Sequence, residues 1–224
     1  MAEKSRLQQI DDLIRKDHYY LSTEDVCFFW GEYTARKGFA HSDTNNVISN
    51  LKKKMDRKGK PEWFYKGLAI EHVAQVFKAT VNPEFLKAAT VMPMPPSKAK
   101  TDPEYDDRML QVVQMFAGKY DIRELVAMKK SDKASHERDD RPNPDDLEKN
   151  MKIDEKLAGK KPQRVLIVDD VLTTGAHFVA AKRVIQKRFD GVEVTGLFFA
   201  RRVPQSDFDP VDVAAFLEQL KKKK

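Results

Sequence analysis

Residues 165–177 constrain the fold of this chain more than any other stretch. They read Val-Leu-Ile-Val-Asp-Asp-Val-Leu-Thr-Thr-Gly-Ala-His, an apolar run that leads directly into two adjacent carboxylates. An unbroken apolar run of this kind is typical of a strand that is buried on both faces of a parallel sheet. Ligands bind beyond the carboxyl ends of such strands, so we expect Asp169 and Asp170 at the rim of a site. The stretch predicts an α/β fold.

The turn that follows the two acids has the composition of a phosphate site. Thr173, Thr174, Gly175 and Ala176 supply two hydroxyls and backbone N–H groups at the start of a predicted helix. Such N–H groups, together with the helix dipole, attract anions. The alternative is an ordinary buried strand that ends in solvated carboxylates.

The order of strand, Asp-Asp, two apolar residues and Thr-Thr-Gly resembles the signature of the type I phosphoribosyltransferases, which bind phosphoribosyl pyrophosphate (PRPP). The resemblance implies a type I phosphoribosyltransferase fold, in which helices flank a parallel sheet. It also implies that Asp169 and Asp170 hold the ribose hydroxyls and that the turn 173–177 holds the 5′-phosphate. His177 stands where the family usually has a small hydroxyl residue.

Composition limits the class of protein. The chain has 224 residues, 41% of them hydrophobic and 34% charged, which suits one α/β domain with an extension. The net charge of +6 suits anionic small ligands or weak nucleic-acid contact. A single cysteine, Cys27, excludes an internal disulfide and a Cys-rich zinc cluster. No membrane-spanning or signal-peptide pattern stands out, which predicts a cytoplasmic protein.

Residues 1–85 are predicted to form a mostly helical N-terminal hood, and residues 86–224 the PRPP-binding core of one compact unit. Ser22 is typical of a helix start, before apolar residues at helical spacing: Val26, Phe29, Trp30 and Tyr33. Further helices are predicted over 7–14, 43–59 and 61–77. The core pattern predicts strands over 88–92, within 121–128 and over 192–200, helices from Asp102 and over 211–220, and a charged loop over 129–150.

Three more segments are candidates for the site. The resemblance implies that Ser97 and Lys98, after the strand at 88–92, bind the pyrophosphate, although a Pro-rich turn with an exposed lysine is the alternative. Arg108 is predicted in the first turns of a helix, where its charge opposes the helix dipole. It resembles the arginine of a motif in the ComF branch of the family. The resemblance also implies a flexible loop that covers PRPP, and its candidate cations are Lys129, Lys130, Arg138 and Arg141. Asn150 resembles an asparagine that the ComF branch carries in the same loop.

Other polar groups are predicted to have no functional role. The run Lys52-Lys53-Lys54 is interpreted as a solvated helix face, and the histidines, including His18, show no metal-ligand spacing. No stacking face with both aromatic and basic residues stands out from the sequence, which weighs against a nucleic-acid-handling factor.

The combined prediction is a Mg²⁺-dependent phosphoribosyltransferase that transfers phosphoribosyl to a nitrogen acceptor, such as a nucleobase, and releases pyrophosphate. The catalytic candidates are Asp169, Asp170, Lys98 and Arg108. Mg²⁺ is expected to bind mainly through PRPP and water, with the acid pair as the nearest protein ligands. The alternatives are a non-catalytic sensor of PRPP or nucleotides and a ComF-like nucleic-acid-handling factor. The hood is expected to face the acceptor, to pair in a homodimer or to bind a partner.

Overall fold

The computed structural model describes residues 7–131 and 143–204. Two of the predicted loop cations, Arg138 and Arg141, lie outside the described residues, as does the helix predicted over 211–220. The fold below is that of the described residues.

A mostly parallel sheet forms the centre of the molecule. The strands are β1 (Gln8–Gln9), β2 (Val26–Thr34), β3 (Ala89–Pro93), β4 (Asp121–Ile122), β5 (Val126–Met128), β6 (Met151–Ile153), β7 (Arg164–Leu172) and β8 (Glu193–Val203). Six of them form one sheet in the order β1-β2-β8-β7-β3-β4, with only β1 antiparallel to its neighbour. β5 and β6 form a separate antiparallel pair. The predicted α/β class is therefore confirmed.

Helices flank both faces of this sheet. They are α1 (Asp12–Arg15), α2 (Asp43–Leu51), α3 (Phe64–Thr80), α4 (Pro83–Ala88), α5 (Arg108–Ala117), α6 (Pro144–Asn150), α7 (Glu155–Ala158) and α8 (Ala176–Arg188). Ser42 caps α2 by accepting a hydrogen bond from the Asn45 backbone N–H, and Asn82 caps α4 before Pro83. In the described part of the chain, every helix is too short or too polar to cross a membrane.

Alternate residues of β7 pack into two cores on opposite faces of the sheet. Val165 and Ile167 face the core beneath α8, whereas Leu166 and Val168 face the core beneath α3 and α5. All four side chains are buried. Burial on both faces is what fixes β7 in the middle of the sheet, between β3 and β8, and places its carboxyl end at a protected edge.

The helix predicted from Ser22 is wrong, because residues 26–34 form β2, which pairs in parallel with β8. The apolar residues fit helical spacing by coincidence. In the structure Cys27 and Phe29 pack into one core, and Phe28 and Trp30 pack against the other. A strand covered on both faces has no polar face, so its sequence resembles that of a buried helix. The N-terminal region therefore contributes to the same sheet as the residues after 86.

Three further boundaries differ from the prediction. The helix expected from Asp102 begins at Arg108, and turns occupy residues 101–104. The end of the predicted charged loop forms α6. The short β1 and α1 replace the helix expected over 7–14. In each case the elements are short, and tertiary contacts outweigh local propensity.

Candidate functional site

A cleft of about 300 Å³ lies at the carboxyl end of β7. The loop that follows β3 forms one side of it, held in place because the Met94 backbone N–H donates to the Val168 carbonyl at 2.8 Å. The other sides come from the β7–α8 turn, the start of α5 and the end of α2. The polar residues that line the cleft are Lys52, Ser97, Asp106, Arg108, Asp169, Asp170, Thr173 and His177.

Asp170 is buried between two cations. One carboxylate oxygen lies 3.0 Å from Lys52 Nζ, and the other accepts from Arg108 Nη2 at 2.7 Å and Arg108 Nε at 3.1 Å. Burial by itself would raise the pKa of Asp170, but the charges of Lys52 and Arg108 outweigh burial and hold the pKa well below its usual value. Asp170 is therefore an anion that its two partners fix in one place.

Asp169, the adjacent acid, has the opposite electrostatic environment. Its side chain is partly exposed to the cleft and accepts a hydrogen bond from the Asp170 backbone N–H at 2.8 Å. Burial and the neighbouring negative charge of Asp170 raise the pKa of Asp169 to about 7. Asp169 is the carboxylate that gains most from a cation or a hydrogen-bond donor brought in by a ligand.

The turn between β7 and α8 depends on a glycine. Gly175 has a φ of +87° and precedes the first residue of α8, and a Cβ on it would lie 2.8 Å from a methyl carbon of Leu21. Only glycine adopts this backbone region at little cost. The Thr174 hydroxyl accepts from the Ala176 backbone N–H at 3.4 Å, so Thr174 and Ala176 shape the turn from within.

The N-terminal segment 18–21 supports the same turn. The Tyr20 backbone N–H donates to the Thr174 carbonyl at 3.0 Å, and His18 Nδ1 contacts the Thr173 carbonyl. His18 is fully buried, and burial lowers its pKa, so the neutral ring donates through Nδ1–H. Its Nε2 has no hydrogen-bond partner within the described ranges. The turn is thus held by residues that are more than 150 positions away in the sequence.

A chain of charges continues from Asp170 into the protein. Arg108 Nη1 donates to Asp106 at 2.8 Å, and Lys66 Nζ lies 2.8 Å from the same Asp106 oxygen. Lys66 is buried and also donates to the carbonyls of Leu51 at 2.7 Å and Lys53 at 2.9 Å. Burial lowers the pKa of Lys66, and hydrogen bonding to Asp106 opposes that effect. These contacts fix the end of α2, and with it Lys52, relative to Arg108.

Most of the residues predicted for the site come together here. Asp169, Asp170, Thr173, His177, Ser97 and Arg108 line the cleft, and Thr174, Gly175 and Ala176 form the turn behind it. Lys98 does not line the cleft. It pairs with Glu104 at 3.1 Å and lines a second cleft, of about 270 Å³, on the other side of the proline-rich loop.

The predicted covering loop is described only at its two ends. Lys129 Nζ donates to the Lys149 carbonyl at 2.6 Å, and Lys129 lines the second cleft. Asn150 pairs with the Lys130 backbone, donating at 3.0 Å and accepting at 3.1 Å. In the structure Lys129, Lys130 and Asn150 therefore join the ends of the antiparallel strands β5 and β6 and do not line the Asp169–Asp170 cleft.

Sequence reasoning missed four residues that shape the site: His18, Lys52, Lys66 and Asp106. The interpretation of Lys52 as part of a solvated face is wrong, since it pairs with Asp170. Its position at the carboxyl end of α2 is where a helix favours a cation, but that rule does not indicate the partner. Lys66 sits among apolar residues of α3 and offered no sequence signal for burial.

Asp169 is the acid of the cleft that could hold a metal ion. Both carboxylate oxygens of Asp170 are engaged by cations, which leaves Asp169 as the acid for a metal. Among the described residues, no cluster of three or more His, Cys, Asp or Glu side chains could form a protein cage for a metal. One carboxylate with oxygen ligands from a phosphorylated substrate is the usual way in which proteins hold Mg²⁺.

No protein-family model matches this sequence, and no curated protein matches it. The cleft combines an acid pair near the carboxyl end of a parallel strand, a glycine turn that leads into a helix and an arginine that pairs with two acids.

Proposed function

We propose that this protein binds PRPP with Mg²⁺ in the cleft at the end of β7 and transfers the phosphoribosyl group to a nitrogen acceptor with release of pyrophosphate. The observation that carries the proposal is that Asp169 lines the same cleft as Thr173 and His177, the two ends of the turn before α8, so that an acid and a helix N-terminus belong to one strand–turn–helix unit. An acid for the sugar hydroxyls and a helix N-terminus for the phosphate are the two groups that a sugar phosphate needs.

The turn suits the 5′-phosphate. α8 is 13 residues long, and the first backbone N–H groups of a helix have no partner within it. Gly175 gives the turn its left-handed backbone, and Thr173 and His177 on either side of it line the cleft. A phosphate there would receive backbone hydrogen bonds together with the favourable end of the helix dipole.

Asp169 suits the ribose. An ionised carboxylate accepts hydrogen bonds from two neighbouring hydroxyls, and its charge stabilises the positive charge that develops on the sugar ring as the bond to pyrophosphate breaks. Asp170 lies beside it but is held by Lys52 and Arg108. We assign Asp170 the role of positioning those two cations and Asp169 the contact with the ribose.

Lys52, Arg108 and Ser97 suit the pyrophosphate. Lys52 and Arg108 bring positive charge to the side of the cleft formed by α2 and α5, and Ser97 adds a hydroxyl from the loop after β3. The network of Lys52, Asp170, Arg108, Asp106 and Lys66 has three cations and two anions, so it is nearly neutral before a ligand enters. A bound Mg²⁺ would supply the additional charge that a leaving pyrophosphate requires.

Titration of PRPP by isothermal calorimetry tests the binding part of this proposal. We expect binding that requires Mg²⁺ and that Asp169→Asn weakens by at least about tenfold, the loss of one charge-assisted contact. Asp190→Asn, an exposed acid after α8, is the matched control and should bind as the native protein does. Equal affinity of the Asp169→Asn variant and the native protein would contradict the site assignment.

Pyrophosphate release separates transfer from sensing. The native protein, Mg²⁺ and PRPP are incubated with a panel of nucleobases and other nitrogen acceptors, and pyrophosphate is measured by a coupled assay. Release with one acceptor supports the transferase. PRPP binding without release across the panel supports the non-catalytic PRPP sensor instead.

A further inference from the structure

The beginning of α3 exposes an unusual set of apolar side chains. Phe64 is 66% exposed, Tyr65 is 54% exposed and Leu68 is 46% exposed. The two rings pack edge to face, with centroids 5.7 Å apart. Gly67 lies beside them with open space around its Cα, so no side chain covers the rings from that position. Large rings at this exposure are available for contact with a flat partner.

Much of the positive charge of the protein surrounds these rings. Residues 52–62 contain six Lys or Arg side chains and two acids, a net charge of +4, whereas the whole chain has +6. All six basic residues except Lys53 are exposed. We call residues 52–68 the aromatic–basic surface. Its charge complements an anionic partner, and its rings distinguish that partner from a simple anion.

Cations and rings are already arranged against each other on this surface. Lys53 Nζ lies 5.7 Å from the centroid of the Tyr65 ring, and Lys66 Nζ lies 5.3 Å from that of Trp63. The buried Lys66 also donates to the Leu51 and Lys53 carbonyls, which joins the start of α3 to the end of α2. The surface is therefore ordered before any partner binds.

The aromatic–basic surface borders the cleft. Lys52 belongs to both, since its Nζ contacts Asp170 while the next residue, Lys53, lies over Tyr65. A chain molecule that lies on the rings would therefore pass close to the mouth of the cleft.

We propose that the aromatic–basic surface binds single-stranded nucleic acid, with unpaired bases stacked on Phe64 and Tyr65 and backbone phosphates held by the surrounding lysines and Arg57. A positively charged surface with exposed aromatic rings is how proteins bind single strands without reading their sequence. Duplex DNA keeps its bases stacked inside and offers the rings nothing. The proposal does not rest on PRPP binding. The aromatic–basic surface did not stand out from the sequence, because the two rings and the lysines come together only in the folded chain.

The surface fits a single strand better than an anionic membrane. A membrane-bound helix places a long apolar face in the bilayer and basic residues along its sides. Here the apolar faces of α2 and α3 are buried in the protein core. The exposed large apolar side chains of the surface are Phe64, Tyr65 and Leu68. The basic residues lie on the turns between α2 and α3, and Arg57 ends the short 3₁₀ helix Met55–Arg57.

Fluorescence anisotropy with labelled 15-nucleotide oligo(dT) and oligo(U) tests the proposal on the full chain. We expect the logarithm of the association constant to fall linearly with the logarithm of the salt concentration. The expected slope of about −2 to −3 corresponds to about four phosphate contacts. The double variant Phe64→Ala/Tyr65→Ala should weaken binding by at least about tenfold, through lost stacking. The pair Lys58→Glu/Lys60→Glu should also weaken binding and flatten the salt slope.

Matched controls separate the surface from general charge and folding effects. Met115→Ala removes an equally exposed apolar side chain from α5, and Lys78→Glu reverses an exposed charge at the other end of α3. Both should bind as the native protein does. Asp169→Asn should lose PRPP and keep the oligonucleotide, so failure of one proposal is visible without the other. Native binding by the ring variant, equal affinity for a duplex, or displacement by anionic vesicles would each overturn the assignment.

Discussion

Two walls of the cleft are built in different ways. The strand–turn wall consists of residues 168–177, consecutive in the chain and shaped by β7, Gly175 and the start of α8. The charged wall consists of Lys52, Asp106 and Arg108, with the buried Lys66 behind them. These residues come from α2, α3 and the start of α5 and are joined mainly by ion pairs with one another and with Asp170. Backbone conformation defines the first wall, and long-range electrostatics defines the second.

This difference indicates how each wall responds to change. In the strand–turn wall a substitution alters local backbone geometry, and its effect depends on φ and on the space around one Cα. In the charged wall a substitution leaves a buried partner without its counter-charge, and its effect depends on how deeply that partner is buried. Asp170 lies in the strand–turn wall and pairs with the cations of the charged wall, so we expect its substitution to have the largest effect.

The largest effect on stability is expected from Asp170→Asn. The substitution leaves the buried Arg108 guanidinium without its shortest partner, so we expect the free energy of unfolding to fall by about 3 kcal/mol. Urea denaturation measures this change. Asp145→Asn breaks an exposed ion pair with Arg183 at 2.7 Å and should cost under about 1 kcal/mol. Similar losses for the two variants would show that the charged wall is not held by its ion pairs.

Gly175→Ala is expected to have the next largest effect. The left-handed backbone costs an alanine about 1–2 kcal/mol, and its Cβ would overlap Leu21 at 2.8 Å. Gly191→Ala has a similar φ of +68° with nothing within 4 Å, so it isolates the backbone cost. The midpoint temperature of thermal unfolding should be lower for Gly175→Ala than for Gly191→Ala. Only Gly175→Ala should weaken PRPP binding. The reverse ranking would mean that Leu21 does not brace the turn.

The pH dependence of binding reports on Asp169. Its pKa is raised to about 7, so the acid is mostly protonated at pH 6 and mostly ionised at pH 8. Affinity for Mg²⁺ and PRPP should therefore rise by up to about tenfold between these values. The same raised pKa stabilises the fold below about pH 4 and loses that contribution as pH rises through 7. Calorimetry at pH 6, 7 and 8 should show a steeper rise for the native protein than for Asp169→Asn. Parallel curves would place the titration in the ligand.

The smallest effect on stability is expected from Lys52→Met. The Lys52 side chain is 44% exposed, so the loss of its ion pair should cost under about 1 kcal/mol, while PRPP affinity should fall several-fold because a cation leaves the cleft. Lys54→Met, two residues further on and exposed, is the control for both measurements. A larger loss of stability than for Asp170→Asn would contradict the view that Arg108 carries most of the electrostatic cost.

The strand–turn wall was largely predictable from sequence and the charged wall was not, for a physical reason. A strand, an acid pair and a glycine turn are local patterns that fix their own geometry. The pair of Lys52 with Asp170 joins positions 118 residues apart, and no local rule indicates it. Arg108 was identified by its unfavourable position in a helix dipole, which is a sign of a distant acid. Lys98 looked equivalent, but Glu104, six residues away, holds it outside the cleft.

The fold shows the same division. The central strands β3, β7 and β8 were expected close to where they lie, because their apolar runs are bounded by proline, acids or glycine. β2 was mistaken for a helix because burial on both faces removes the alternation that marks a strand. Residues 26–34 form a strand because they pair with β8, and the sequence near β2 does not indicate that pairing.

The pairing of β2 with β8 also has a consequence for synthesis. β2 ends at Thr34 and its parallel neighbour ends at Val203, so the first long strand is exposed before the strand that covers it has been made. At ribosomal speeds that interval is on the order of ten seconds. Throughout it, Cys27 and Phe29 have no sheet to join. The pairing of β2 with β8 is therefore a late step in the assembly of the sheet, although β2 is made early. Nascent chains stalled before β8 should be sensitive to proteases around β2.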